Sequence, residues 1–122
     1  KAVGHLSELQ EAVARRSNGG TPPEFESTTG IAHTRWATHG SVTEDNAHPH
    51  FDTQDRVHIV LNGIVENHSE LRAQLREEGH VFSSETDAEI VAHLIEKHYD
   101  GDLTEAGEAV DAATVSPALA VS

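Results

Sequence analysis

Apolar positions recur at helical spacing in four stretches of the chain, with short apolar runs and polar segments between them. Leu6, Leu9 and Val13 predict an amphipathic helix over Ser7 to Arg16, closed by Ser17-Asn18-Gly19-Gly20 with glycine at a C-cap position. Thr21 to Thr29 is rich in Pro, Ser, Thr and Glu and reads as an exposed loop, after which Gly30-Ile31-Ala32-His33 predicts a strand. Ser41 to Asp55 has little apolar content beyond Val42 and Phe51, so a polar loop packed by its own side chains is expected. Val57, Ile59, Val60 and Leu61 predict a buried strand that runs into Asn62-Gly63. Leu71 and Leu75 lie one turn apart between Asn67, a good N-cap, and Gly79, a good terminator, which predicts a second helix. Val81-Phe82 reads as a short strand.

The clearest helix follows. Thr86-Asp87-Ala88-Glu89 has the capping-box arrangement, a hydroxyl at the cap and a carboxylate three residues on, ahead of Ile90, Val91, Leu94 and Ile95 on one face. Asp102 to about Asp111 repeats the pattern with Glu105 three residues after Asp102, and Ala118 to Val121 opens one more strand. Helices and strands mix without a parallel βαβ repeat, so the class is α+β.

Composition narrows the setting. At 122 residues and 36% hydrophobic content the chain is one domain at most. A formal charge of −13 repels nucleic acid and anionic membranes, so neither is expected as a partner. The acid excess also suits high-salt cytoplasm, and with ten histidines the net charge moves sharply near pH 6. No cysteine means no disulfide and no thiolate metal site, and neither a long apolar run nor a secretory leader is present, so a cytoplasmic setting is expected. A chain that starts at Lys1 without methionine is expected to be processed or cut from something longer.

Candidate chemistry concentrates in His33-Thr34-Arg35-Trp36-Ala37-Thr38-His39-Gly40, which has neither helical nor strand periodicity. The Arg35 guanidinium offers a planar fork that matches a carboxylate, with Thr38 and His39 adding short hydrogen bonds beside it. A small carboxylate-bearing ligand is the natural partner. Asn62-Gly63 admits two readings: a type I′ hairpin turn, the simpler one on sequence alone, or an amide side chain beside a closely approachable N–H. The second would make two donors for a developing oxyanion, worth about 3 kcal/mol each in acyl transfer. Asp87 in the first turn of its helix suits the helix dipole, or it receives a substrate ammonium. His33, His39, His48 and His50 lack a zinc-type spacing, so no metal is expected.

Taken in order, HTRWATHG at His33 to Gly40, NAHPH at Asn46 to His50, LNGIVEN at Leu61 to Asn67 and SETDAE at Ser84 to Glu89 resemble the glutaminase domain of the glutamine–fructose-6-phosphate aminotransferases, over about Gly30 to Ile95. The resemblance implies a class II amidotransferase with the four-layer αββα fold of the N-terminal-nucleophile hydrolases, here a partial one. It implies that Arg35 holds the glutamine α-carboxylate, that Thr38 and His39 line the same pocket, and that Asp87 takes the α-amino group. Asn62 and Gly63 would form the oxyanion hole, Trp36 would gate ammonia passage, and His48 would stand at the pocket side. The implied partners are L-glutamine and, through a domain outside this chain, fructose 6-phosphate; the parent would be a homodimer that needs no cofactor. Several departures stand out. Leu61 replaces the histidine common before the oxyanion asparagine, and the family's N-terminal cysteine nucleophile is absent, as are its leading strand and helix. Val115-Ser116-Pro117-Ala118 also departs from the family's aromatic-containing approach to a strand. An internal fragment inert by itself is therefore expected, with an exposed sheet edge that favours partial disorder or self-association. The competing readings are another class II amidotransferase, such as amidophosphoribosyltransferase or asparagine synthetase, and a catalytically dead glutamine-binding module.

Overall fold

The computed structural model describes residues 1–16, 30–34 and 41–113, with side chains described to Val110. Four helices and a two-stranded sheet follow in the order α1 (Leu6–Arg16), β1 (His50–Phe51), β2 (His58–Ile59), α2 (His68–Glu77), α3 (Ala88–His98) and α4 (Leu103–Ala113). All four predicted helices are present, each within a few residues of its expected ends. The expected closure at Ser17 to Gly20, the Thr21 to Thr29 loop, and the strand at Ala118 to Val121 lie outside the described residues, as do Arg35, Trp36, Thr38 and His39.

Helix α3 is the centre of the packing. It meets α4, α2 and both strands. Its apolar stripe of Ile90, Val91, Leu94 and Ile95 is buried, at about 1.5–3 kcal/mol for each large side chain. Burial goes beyond the expected single face, because every residue from Ala88 to Ile95 is covered, Glu89 and His93 included. Val57, Ile59, Leu61 and Val65 close the core from the strand side, Leu75 from α2, and Ala106 and Val110 from α4. Helix α2 ends in a Schellman arrangement: the Gly79 N–H donates to the Arg76 carbonyl at 3.1 Å and the His80 N–H to the Leu75 carbonyl at 2.9 Å. Gly79 supplies the left-handed φ of 98° that this turn requires.

The strands depart most from expectation. The Val57–Leu61 run pairs only at His58–Ile59, antiparallel to His50–Phe51 with His50 opposite Ile59. Strand β1 thus arises inside the segment expected to be wholly loop. The hairpin closes through Asp52, whose Oδ1 accepts the N–H groups of Arg56 at 2.6 Å and Val57 at 2.9 Å. Residues 30–34 and Val81-Phe82 carry no strand pairing, and Val81 is exposed. A β-ladder needs a partner that local composition does not reveal.

Both expected N-caps are also rebuilt. Asn67 and Asp87 occupy the cap positions of α2 and α3, but neither side chain makes a capping bond. The Thr86 hydroxyl turns instead to His50 Nε2 at 2.9 Å, and Glu89 reaches past the cap to Ser83 and Ser84. At the start of α4 the expectation holds, since Asp102 Oδ1 accepts the N–H groups of Thr104 at 2.8 Å and Glu105 at 3.1 Å.

Candidate functional site

Three of the four motifs singled out from the sequence meet at one short segment, residues 83–87. From Asn46 of the first, the side-chain carbonyl accepts the Glu85 N–H at 2.9 Å, while its amide donates to the Ser41 carbonyl at 3.0 Å. Buried His50 of the same motif reaches Thr86, as noted above. From the second, the Val65 N–H donates to Asp87 Oδ2 at 2.8 Å. That bond ties the start of α3 to the loop that carries Asn62 and Gly63.

The Asn62–Gly63 loop is pinned at both ends and open in the middle. Leu61 and Val65 are in the core, whereas Asn62, Gly63 and Ile64 face solvent. The hairpin-turn reading fails here, because a type I′ turn needs positive φ at both central residues and neither has it. Asp87 is half-buried. With Oδ2 held by Val65, a carboxylate of fixed orientation stands beside a loop of exposed amide groups.

His48 links this assembly to the fourth motif, His33 to Gly40. Its ring lies 4.1 Å from that of His33 and 4.5 Å from that of His50. Arg35 follows His33 by two residues in the sequence. The residues Asn62, Gly63, Asp87 and His48 are therefore connected through Val65, Thr86 and His50, and the connection runs up to the edge of the Arg35-to-Gly40 stretch, itself outside the described residues.

Segment 83–87 is stabilised by charges that sequence reasoning read otherwise or missed. The fully buried Glu89 carboxylate accepts the Ser83 N–H at 2.6 Å and the Ser84 N–H at 2.8 Å, with the two hydroxyls at 2.8 and 2.6 Å. Burial by itself raises this carboxyl; His93 and the hydrogen bonds from Ser84 and Ser83 outweigh it and bring the pKa down to about 2. His93 Nε2 stands 3.8 Å away, an ion-pair distance, so the serines supply the short contacts. Arg72 of α2 donates to the Ser84 carbonyl at 2.9 Å and the Thr86 carbonyl at 2.6 Å, with its guanidinium 4.5 Å from the Phe82 ring centroid. Desolvation lowers the Arg72 pKa, opposed chiefly by Glu89. Arg72 was legible only as a cation flanking the Leu71–Leu75 stripe.

Farther along α3, His93 and Glu96 stand with His80 so that one ligand atom of each lies within 4.8 Å of the others, close enough for a shared cation. Hydrogen bonds already account for them. Glu96 Oε2 meets His80 at 2.7 Å and His93 at 3.3 Å, and it accepts the Thr53 hydroxyl at 3.1 Å and N–H at 3.3 Å. Burial raises the Glu96 carboxyl, and His93, His80 and Thr53 together hold it below the usual carboxylate range. Along α3, its members His93 and Glu96 lie six and nine residues beyond Asp87, about 9 and 14 Å of helix rise.

Residues 2–106 match the model of the glutamine amidotransferase domain. The chain belongs to that family. Within it, the amidotransferase domain is 55% identical over 106 residues to a protein of Aquifex aeolicus, 50% over 106 to one of Symbiobacterium thermophilum and 51% over 106 to one of Thermus thermophilus. Each of the three is named glutamine–fructose-6-phosphate aminotransferase [isomerizing], and each alignment takes in 87% of this chain. The amidotransferase domain spans only 16–17% of the length of these relatives. None of its described helices is long and apolar enough to cross a membrane.

Proposed function

We propose that this domain is the glutamine-hydrolysing part of a cytoplasmic isomerizing aminotransferase, which moves the amide nitrogen of glutamine to fructose 6-phosphate and yields glucosamine 6-phosphate. The shared identity with proteins of that name carries the reading. For the complete domain the family favours the four-layer N-terminal-nucleophile hydrolase fold, of which these 122 residues are a part. Chemistry at the sugar belongs to sequence outside this chain, which spans so little of its relatives.

Glutamine has three groups to satisfy. Arg35 holds the α-carboxylate in bidentate fashion, with Thr38 and His39 beside it and His48 at the pocket side. Asp87 takes the α-ammonium. As the amide carbon becomes tetrahedral, negative charge grows on its oxygen, and the Asn62 amide and the Gly63 N–H donate to it. Trp36 closes the pocket so that ammonia leaves toward the sugar. The bond from the Val65 N–H to Asp87 supports the reading, since it ties the proposed ammonium partner to the loop that carries the proposed oxyanion donors.

A thiol is the nucleophile in this class of reaction, and no cysteine occurs in the chain. Binding and hydrolysis are therefore separable. Calorimetric titration of L-glutamine is expected to register binding that weakens about tenfold or more in Arg35→Ala and in Asp87→Asn, the loss of one charged contact. The same polypeptide should release no ammonia. Equal affinity in both variants and the parent chain overturns the assignment of Arg35 and Asp87, and steady ammonia release overturns the expectation that this polypeptide is inert.

A further inference from the structure

We propose that Arg72 and Glu89 are a positioning pair that sets Asp87 against the oxyanion loop, and so governs how well the site reads the α-amino group of its ligand. The inference rests on the reading of Asp87 as the ammonium partner. Neither side chain of the pair would touch glutamine.

Segment 83–86 is gripped from two sides. On its carbonyl side, the Arg72 fork spans Ser84 and Thr86. On its N–H side, Glu89 takes Ser83 and Ser84. Asp87 follows directly, so the backbone that aims its carboxylate is held by a cation from α2 and an anion from α3. The topology makes Arg72 the more telling member. The oxyanion loop leads through Val65 into α2, so loop and Arg72 lie on one continuous stretch, while Asp87 begins another. Two links join these stretches near the site: the Val65 N–H to Asp87, and Arg72 to the carbonyls preceding Asp87. Losing the fork leaves the bond from the Val65 N–H to Asp87 Oδ2 as the remaining one of these two links.

Lysine at 72 keeps the charge but lacks the planar fork whose two separate nitrogens reach the Ser84 and Thr86 carbonyls. Arg72→Lys should therefore fold and still misplace Asp87. Two measurements on the intact chain test this. In hydrogen exchange, the Val65 amide should open about tenfold faster in Arg72→Lys, while the Leu94 and Ile95 amides keep their rates within about twofold. In calorimetry, L-glutamine should bind about fivefold more weakly, whereas 4-carbamoylbutanoate, which lacks the α-amino group, should bind the variant and the parent chain alike. A purely architectural Arg72 would weaken both ligands equally or accelerate all the amides together, and either result, or an unchanged Val65 rate, overturns the proposal. Asp87→Asn separates the two ideas, because asparagine still accepts the Val65 N–H but carries no charge. If it binds both ligands as the parent chain does while Arg72→Lys still frees Val65, the ammonium assignment fails and the positioning pair stands.

Discussion

Helices α1 and α3 have the same length, eleven residues, and the same kind of apolar recurrence, yet they end in opposite environments. In α3, Ile90 and Ile95 are wholly buried; in α1, Leu6 is 66% exposed and Val13 41%. Periodicity is thus enough to form a helix and insufficient to bury it. What separates the two is context: α3 is covered by elements from four other parts of the chain, whereas α1 packs on none of the described helices or strands. The polar groups sharpen the contrast, because α3 also buries Glu89 and His93, and a charge is tolerated there only through the donors arranged around it.

The largest expected effect lies at the middle of α3. Ile95→Ala should cost about 2–5 kcal/mol, the usual range for deleting a fully buried branched chain where neighbours cannot collapse into the gap. Chemical denaturation gives the number. A cost below about 1 kcal/mol would mean that α3 is not the organising helix, and the contrast with α1 would dissolve.

Glu89→Gln comes next, at about 1–3 kcal/mol near neutral pH, since a neutral amide leaves charge-assisted bonds from Ser83 and Ser84 weakened and brings an N–H₂ where donors already point. Its pH dependence has a definite sign. A carboxyl near 2 in the folded chain, against about 4.5 when unfolded, stabilises the fold fully above the unfolded value. That contribution fades as pH falls from about 4.5 toward 2. The difference in stability between parent chain and variant should therefore shrink across this window. A difference that stays constant from pH 6 down to 3 would show that the Glu89 charge is not what holds segment 83–87.

Helices were legible from the sequence because their signal is local: Leu71 with Leu75, or Ile90 with Leu94, declare a face without reference to anything distant. Strands were not. The run from Val57 to Leu61 looks like a strand throughout, but pairing stops where β1 stops, and β1 itself hides in a polar stretch. The Thr86–Glu89 box failed for the same reason, since Thr86 has a partner thirty-six positions back and Glu89 serves the two serines upstream. At the candidate site the motifs stood out one by one. Their junction did not, because nothing in SETDAE announces that Asn46, His50, Val65 and Arg72 will all converge on it.

The smallest effect is expected at the opposite pole of the comparison. Leu6→Ala removes a side chain that is two-thirds exposed, at the first position of α1, and alanine favours helix, so stability should change by no more than about 0.5 kcal/mol. The value lies in what a larger change would mean. A loss near 2 kcal/mol would require the Leu6, Leu9 and Val13 stripe to be covered in solution, by the same chain or by a second copy of it. Repeating the denaturation over a hundredfold range of protein concentration decides between these cases, because a self-associating stripe raises the midpoint with concentration and one covered by its own chain leaves it fixed.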